Sequence, residues 1–181
     1  PPVAGAMLWL WVFNPQYGLA NSVMDILHLP KLNWLVDPQT AKPAMIFMDL
    51  WGVGGGMIIT LAALQGVPAH LYEAALLDGA GVLTRFRHVT LPMISPVLFF
   101  QLIMGIIGTF QYFTSAMVMT RGGPGMATMF YALYLFNNAF QYFKMGYACA
   151  MAWILFAITL SLSLLVIWSG KRWVHYEGGE R

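Results

Sequence analysis

The sequence predicts an all-α membrane protein, a polytopic helical bundle with about four spans, the first of them partial. Three observations predict it. Of the 181 residues, 59% are hydrophobic and only 9% are charged, whereas a soluble domain carries roughly 25% charged residues. The apolar residues fall in long runs, and a helix that crosses a bilayer needs about 20 of them in succession. Within the runs apolar and polar residues do not alternate, which excludes transmembrane barrel strands. Backbone in lipid must satisfy its own hydrogen bonds, so the runs are helices.

Taken in order, residues 1–13 are apolar and stop at Asn14-Pro15, a turn signal. That is short for a span. The chain opens Pro1-Pro2-Val3, with no initiator Met and no basic leader, so it reads as starting inside a helix, with further spans expected upstream. Residues 14–43 hold Pro15, Pro30, Pro38 and Pro43 around a short apolar stretch, Leu19 to Leu29. They predict a loop with one short interfacial helix. Residues 44–64 form the second span, apolar apart from Asp49. Residues 65–91 carry Glu73, Asp78, Arg85, Arg87 and His88 and leave the membrane. Residues 92–120 and 145–169 contain no Asp, Glu, Lys, Arg or His and form the third and fourth spans. Between them, residues 121–144 open on the turn Arg121-Gly122-Gly123-Pro124-Gly125 and continue through a polar and aromatic loop with Asn137 and Asn138. The tail, 170–181, is charged, and Trp168, Trp173 and Tyr176 anchor the last helix near an interface.

Parity puts 65–91 and the tail on one side and the loops 14–43 and 121–144 on the other. Arg85, Arg87, Lys171, Arg172 and Arg181 lie on the first side, against Lys31, Lys42, Arg121 and Lys144 on the second. The positive-inside rule makes the first side cytoplasmic by this narrow margin, and the two loops extracytoplasmic.

The 65–91 segment is punctuated. Gly66-Val67-Pro68 ends the second span, and Pro68 suits the first turn of a helix. Ala69 to Leu77 reads as a short helix. Asp78-Gly79-Ala80-Gly81 is an elbow whose glycines can take positive φ. A second short helix, Val82 to His88, leads to Leu91-Pro92, where the third span begins. Leu71, Leu76 and Leu77 beside Glu73 and Asp78 make a surface for a partner to grip.

On these residues the chain resembles a known family. Glu73-Ala74-Ala75, Gly79, Val89 and Leu91-Pro92 reproduce, at the right spacing, the signature of binding-protein-dependent ABC importer permeases, with Val89 in place of Ile. Pro68, Tyr72, Asp78, Ala80, Phe86 and Pro96 resemble the carbohydrate-uptake branch. So do Asn14-Pro15, Trp34-Leu35-Val36-Asp37-Pro38, Gly122-Gly123-Pro124-Gly125 and Phe143-Lys144-Met145-Gly146-Tyr147, which resemble permeases for disaccharides and glycerol 3-phosphate. The resemblance covers nearly the whole chain. It implies a single permease domain over 1–181, of the type I ABC importer kind, lacking about two upstream spans. It implies that 65–91 docks in a groove of a cytoplasmic ATPase subunit, with Glu73 making a charge-assisted contact, and with Ala74, Ala75, Asp78, Gly79, Leu91 and Pro92 completing the coupling segment. The implied partners are a second permease subunit in a heterodimer, an ABC ATPase dimer that uses ATP and Mg, an extracytoplasmic solute-binding protein and membrane lipid. The implied location is the bacterial inner membrane. The alternative reading of the segment is an ordinary loop with solvated charges.

Candidates for meeting a solute come next. An ionisable residue within a span costs about 2.5–3.5 kcal/mol on insertion scales and faces a cavity or a partner. Asp49 is such a residue, or else a snorkelling or helix-capping one. The matching stretch in maltose permeases contributes to the sugar site, and Trp51 offers an aromatic face for a sugar ring. Gly52, Gly54, Gly55 and Gly56 read as helix-packing positions. Gln111, Tyr112, Thr114 and Ser115 offer amide and hydroxyl groups to sugar hydroxyls. The corresponding stretch in maltose permeases carries asparagines, so Gln111 and Tyr112 are a departure that leaves the sugar open. Interhelical hydrogen bonding is the other reading of these four residues, and it is the preferred one for Gln101. Asn137 and Asn138 are read as satisfying loop backbone or meeting the binding protein.

Several classes are excluded. A net charge of +2 is too small for nucleic-acid binding. The single Cys149 allows no internal disulfide or Cys-based metal site and reads as a packing residue. His28, His70, His88 and His175 are scattered singly, which predicts no metal site and no catalytic residue. There is no Gly-x-x-x-x-Gly-Lys-Ser/Thr loop, so no cofactor is expected on this chain and hydrolysis falls to the partner. The readings left standing beside a sugar permease are an amino-acid or phosphate importer, a membrane assembly protein, and a membrane-embedded enzyme, for which Asp49 and the histidines are the only possible catalytic groups and show no motif spacing.

Overall fold

The computed structural model describes residues 2–175. Helix α1 spans Pro2–Val12, α2 Leu19–Ile26, α3 Pro38–Trp51, α4 Gly54–Gln65 and α5 Ala69–Leu77. Then follow α6, Val82–Arg85, a π-helical turn, Phe86–Thr90, and α7, Leu91–Phe110. Helices α8, Thr114–Met119, and α9, Tyr131–Phe136, lead through a second π turn, Asn137–Gln141, to α10, Met145–Trp173. Three helical stretches are long and apolar enough to cross a membrane, 38–65, 82–119 and 145–173, and α1 is a shorter apolar helix. The described residues fold as two compact units, one of 2–52 with 108–156 and the other of 53–107 with 157–175.

The first unit holds the hydrophobic core. Ala6 and Phe13, Ala44, Met45 and Met48 of α3, Ala116 and Met119 of α8, and Leu133 of α9 are buried together. Helix α1 stops where expected, because the Asn14 side chain accepts from the Gln16 and Tyr17 amides at 2.9 and 3.2 Å. A Cβ on Gly18 would strike the Val12 and Asn14 backbone, so only glycine fits there. Beyond it the loop is organised by Asn21, 3% exposed. Its amide donates to the Pro15 and Leu32 carbonyls, both at 3.0 Å. Its oxygen accepts from the Leu32 amide at 3.1 Å and the Trp34 indole at 2.9 Å. All four of its hydrogen-bonding sites are thus engaged.

The second span starts earlier than the expected residue 44. Asp37 is the N-cap of α3, its carboxylate accepting from the Gln39 amide at 2.9 Å, with Pro38 in the first helical position. Pro43, expected in the loop, lies inside the helix. The loop 121–144 also holds more structure than expected, namely α9 and the second π turn. Its start is pinned by hydroxyls: Thr120 and Thr128 are 2.6 Å apart, and Thr128, fully buried, donates to the Gly123 carbonyl at 2.6 Å. Asn138 donates to the Tyr134 carbonyl at 2.8 Å, so it satisfies backbone in this loop.

In the second unit, Gln101 ties α7 to α4 by donating to the Gly56 carbonyl at 3.0 Å, while Thr60 donates to the Gln101 oxygen at 3.3 Å. The expected second short helix, Val82 to His88, is not separate from the third span, and the backbone is helical from Val82 through α7. The Leu91 amide bonds the Phe86 carbonyl. This wider π turn immediately before Pro92 lets the proline follow without ending the helix. Pro96 also lies inside α7 and cannot donate to the Pro92 carbonyl. The Ser95 hydroxyl donates to that carbonyl instead, at 2.6 Å, and accepts from the His175 amide at 2.8 Å. Phe99 packs edge-on against Trp173 at 5.9 Å, over Gly170, where a Cβ would meet the Phe99 ring. Tyr176 and the charges at 177, 180 and 181 lie outside the described residues.

Candidate functional site

The first candidate lies wholly in the first unit, at two helix interruptions. Helix α3 ends at Trp51, and Gly52 and Val53 form a turn before α4. The third span, expected unbroken over 92–120, is interrupted at 111–113 between α7 and α8. Phe113 sits at φ −130° and ψ −58°, outside the helical region. At membrane depth, irregular backbone is tolerated only inside protein or beside a polar cavity. The interruption coincides with the polar candidates. Gln111 and Tyr112 fall in the gap, and Thr114 and Ser115 open α8. The Tyr112 hydroxyl donates to the Asp49 carboxylate over 3.5 Å, and Ser115 lies beside the same phenol. Asp49 is exposed and has no ion-pair partner among the described residues. A carboxylate has room for about four hydrogen bonds, so most of its accepting capacity is free. Tyr112 is itself held edge-on to Phe130 at 4.9 Å.

Trp51 is 77% exposed and meets Trp9 edge-on at 6.3 Å, leaving most of its ring surface available. Gln111 is exposed, and Thr114 and Ser115 are half-buried. The structure therefore brings Asp49, Tyr112 and Ser115 together and leaves Gln111 and Trp51 outward-facing. Within this chain a Cβ on Gly54 or Gly55 would meet nothing within 4 Å, whereas one on Gly56 would reach the Gln101 amide at 4.0 Å.

The second candidate lies wholly in the second unit. Pro68 is the N-cap of α5, which ends in a Schellman motif. The Gly79 amide bonds the Leu76 carbonyl at 3.0 Å, and the Ala80 amide bonds the Ala75 carbonyl at 2.9 Å. That motif needs a left-handed residue, and Gly79 supplies it with φ 75°. Gly81, by contrast, is extended at φ −69° and ψ 170°, so only one glycine of the elbow needs its conformational freedom. Glu73, Ala74 and Asp78 are exposed, Ala75 and Pro92 half-buried, and Leu91 40% exposed. Leu77 is 91% exposed, and Val82, Leu83 and Phe86 are also exposed. Exposed apolar side chains thus stand on either side of the elbow. Two hydroxyls, one buried and one half-buried, add a feature outside the signature. Tyr72 of α5 and Thr90 of the first π turn lie 2.9 Å apart. Among the described residues no cluster of His, Cys, Asp and Glu is placed to hold a metal.

Three helical stretches long and apolar enough to cross a membrane, with an exposed helix–elbow–helix between the first two, define a polytopic α-helical membrane protein. The chain belongs to the family of binding-protein-dependent transport system inner membrane components, which matches residues 1–174. It is 39% identical over 181 residues to the probable ABC transporter permease protein YesP of Bacillus subtilis, covering 98% of this chain and 58% of that protein. It is 37% identical over 174 residues to the trehalose/maltose transport system permease protein MalF of Thermococcus litoralis, covering 94% and 58%. The chain thus spans somewhat more than half the length of these curated relatives. The fold matches a chain of the bacterial alginate ABC transporter, solved in complex with its alginate pentasaccharide-bound periplasmic protein. The TM-score is 0.83 at 22% identity, over 95% of this chain and 60% of that one.

Proposed function

We propose that this chain is part of a permease subunit of an ABC importer in the bacterial inner membrane. It forms part of the pathway for a sugar or sugar-like solute and couples that pathway to ATP hydrolysis by a separate subunit. The observation that carries the reading is the exposed Schellman elbow at Gly79, set in a chain that matches the family over nearly its full length. On this reading the 65–91 segment is cytoplasmic and grips an ATPase dimer that binds ATP and Mg. The loops 14–43 and 121–144 face an extracytoplasmic solute-binding protein, and a second permease subunit completes the pathway. Asp49, Tyr112 and Ser115 form one polar wall of it, with Trp51 and Gln111 at its margin. The relative named for trehalose and maltose supports a saccharide.

The test is to express the full-length subunit with its neighbouring transport genes, purify it in detergent, and identify what accompanies it. The reading expects an ATPase subunit and a second permease. It also expects ATPase activity that rises when the binding protein is added with a panel of neutral di- and trisaccharides. Purification without any ATPase subunit would leave a membrane assembly protein as the better reading. Stimulation by an amino acid or by phosphate alone would keep the importer and replace the sugar.

A further inference from the structure

The two arms of the coupling segment are braced by a hydrogen bond that the sequence signature does not contain. Tyr72 precedes Glu73 on α5, and Thr90 is the last residue of the first π turn. Their hydroxyls are 2.9 Å apart, with Thr90 buried and Tyr72 half-buried. The Schellman bonds at Gly79 and Ala80 fasten α5 to the elbow and reach no further. Beyond them Gly81 is a single extended residue, a joint about which α5 can swing. Past that joint the chain is continuously helical into the third span. Among the described residues, Tyr72 to Thr90 is the hydrogen bond that joins α5 to the far arm. It also ends at the π turn, where the helical bonding is wider and a helix yields more readily.

We propose that Tyr72 and Thr90 are a positioning pair that makes α5, the elbow and α7 move as one body. Displacement of α5 by an ATP-driven subunit then arrives at the third span and is not absorbed at Gly81. The inference rests on the coupling reading above. It concerns a pair set apart from the exposed Glu73 and Asp78, with Thr90 buried and Tyr72 half-buried. Loss of either hydroxyl leaves the other without its partner, Thr90 buried and Tyr72 half-buried, so the braced arrangement is disfavoured while the apolar packing stays.

The experiment places spin labels on the complete transporter at two exposed positions, His70→Cys on α5 and Phe100→Cys on α7, in a Cys149→Ser background. The distance distribution is read by pulsed electron resonance, without nucleotide and with Mg-ATP. In the parent protein a narrow distribution is expected, unchanged by nucleotide. Thr90→Val and Tyr72→Phe are expected to raise the population of a displaced arm by about threefold to tenfold, with a shift on adding Mg-ATP. Thr90→Ser, which keeps the hydroxyl, is expected to behave as the parent. A Thr90→Val distribution as narrow as the parent's overturns the proposal, and so does a parent distribution that shifts with nucleotide. A purely structural role predicts lower yield in Thr90→Val and Thr90→Ser alike, with no nucleotide-dependent difference. The nucleotide-free measurement tests the brace by itself. If no ATPase subunit accompanies the parent protein, the coupling reading falls separately.

Discussion

Replacing Gly79 separates what its backbone does from what its lack of a side chain does. Its φ of 75° costs an L-residue about 1–2 kcal/mol. A Cβ there would meet nothing within 4 Å, so crowding inside the chain adds nothing. The two bonds that close the elbow contribute about 0.5–1.5 kcal/mol each. A backbone penalty of 1–2 kcal/mol therefore offsets most of what holds α5 in place, lowering the population of the formed elbow by about fivefold to thirtyfold. Asn enters the left-handed region more readily than other non-glycine residues, and a β-branched residue least readily. The expected order of ATPase-subunit affinity is Gly, then Asn, then Ala, then Val at position 79. The assay is equilibrium binding of the purified ATPase subunit to the reconstituted permease, alongside ATPase rates. Equal losses for Asn, Ala and Val would refute the conformational argument, and would mean that the partner's groove approaches Gly79 too closely for any side chain.

Asn21→Ala leaves the Leu32 amide, the Trp34 indole and two carbonyls without their partner. A loss of about 3 kcal/mol is expected, read as a lowered Tm in detergent and faster proteolysis of the 14–37 loop. Ser95→Ala strips the Pro92 carbonyl and the His175 amide of their shared hydroxyl. The cost is about 1–3 kcal/mol, visible as faster hydrogen exchange at the His175 amide. Tyr112→Phe removes a bond at the long limit of hydrogen-bond geometry, so stability should change by less than about 0.5 kcal/mol. Asp49→Leu removes the free accepting capacity altogether and should cut uptake by about tenfold or more while basal ATPase activity stays constant. Undiminished uptake in Asp49→Leu would remove Asp49 from the solute pathway.

What was legible in the sequence tracks where backbone chemistry is punctuated by specific residues. Helix α5 runs over the residues expected because Pro68 opens it and Gly79 closes it. Both act locally and leave the same mark in any fold. Asn14 stops α1 for the same kind of reason. The start of α3 was misplaced because Pro38 and Pro43 suggested a loop, whereas the Asp37 cap makes Pro38 a starting residue. The gap at 111–113 left no such mark, since Phe110-Gln111-Tyr112-Phe113 contains neither Gly nor Pro. It is held from outside, by Phe113 against Phe136 at 5.0 Å and Tyr112 against Phe130 at 4.9 Å. Both partners lie in a region that read as loop. The Asp49–Tyr112 pairing spans 63 positions, and no local pattern announces it. The residue types were visible as candidates, and their meeting was not.

The unbroken helix from Val82 has a further consequence, for the membrane itself. From Val82 to Ile107 it extends on the order of 40 Å at 1.5 Å per residue, against a hydrocarbon core of about 30 Å. Its first ten residues carry Arg85, Arg87 and His88, and sinking such groups into hydrocarbon is costly. In the proposed placement roughly 15 Å of helix therefore stands proud of the lipid as a mast with the elbow at its top. Its height is set by the boundary between charged and apolar residues near Leu91. A bilayer thick enough to cover more of it would have to bury Arg85, Arg87 and His88, so the elbow keeps its distance from the surface when the lipid changes.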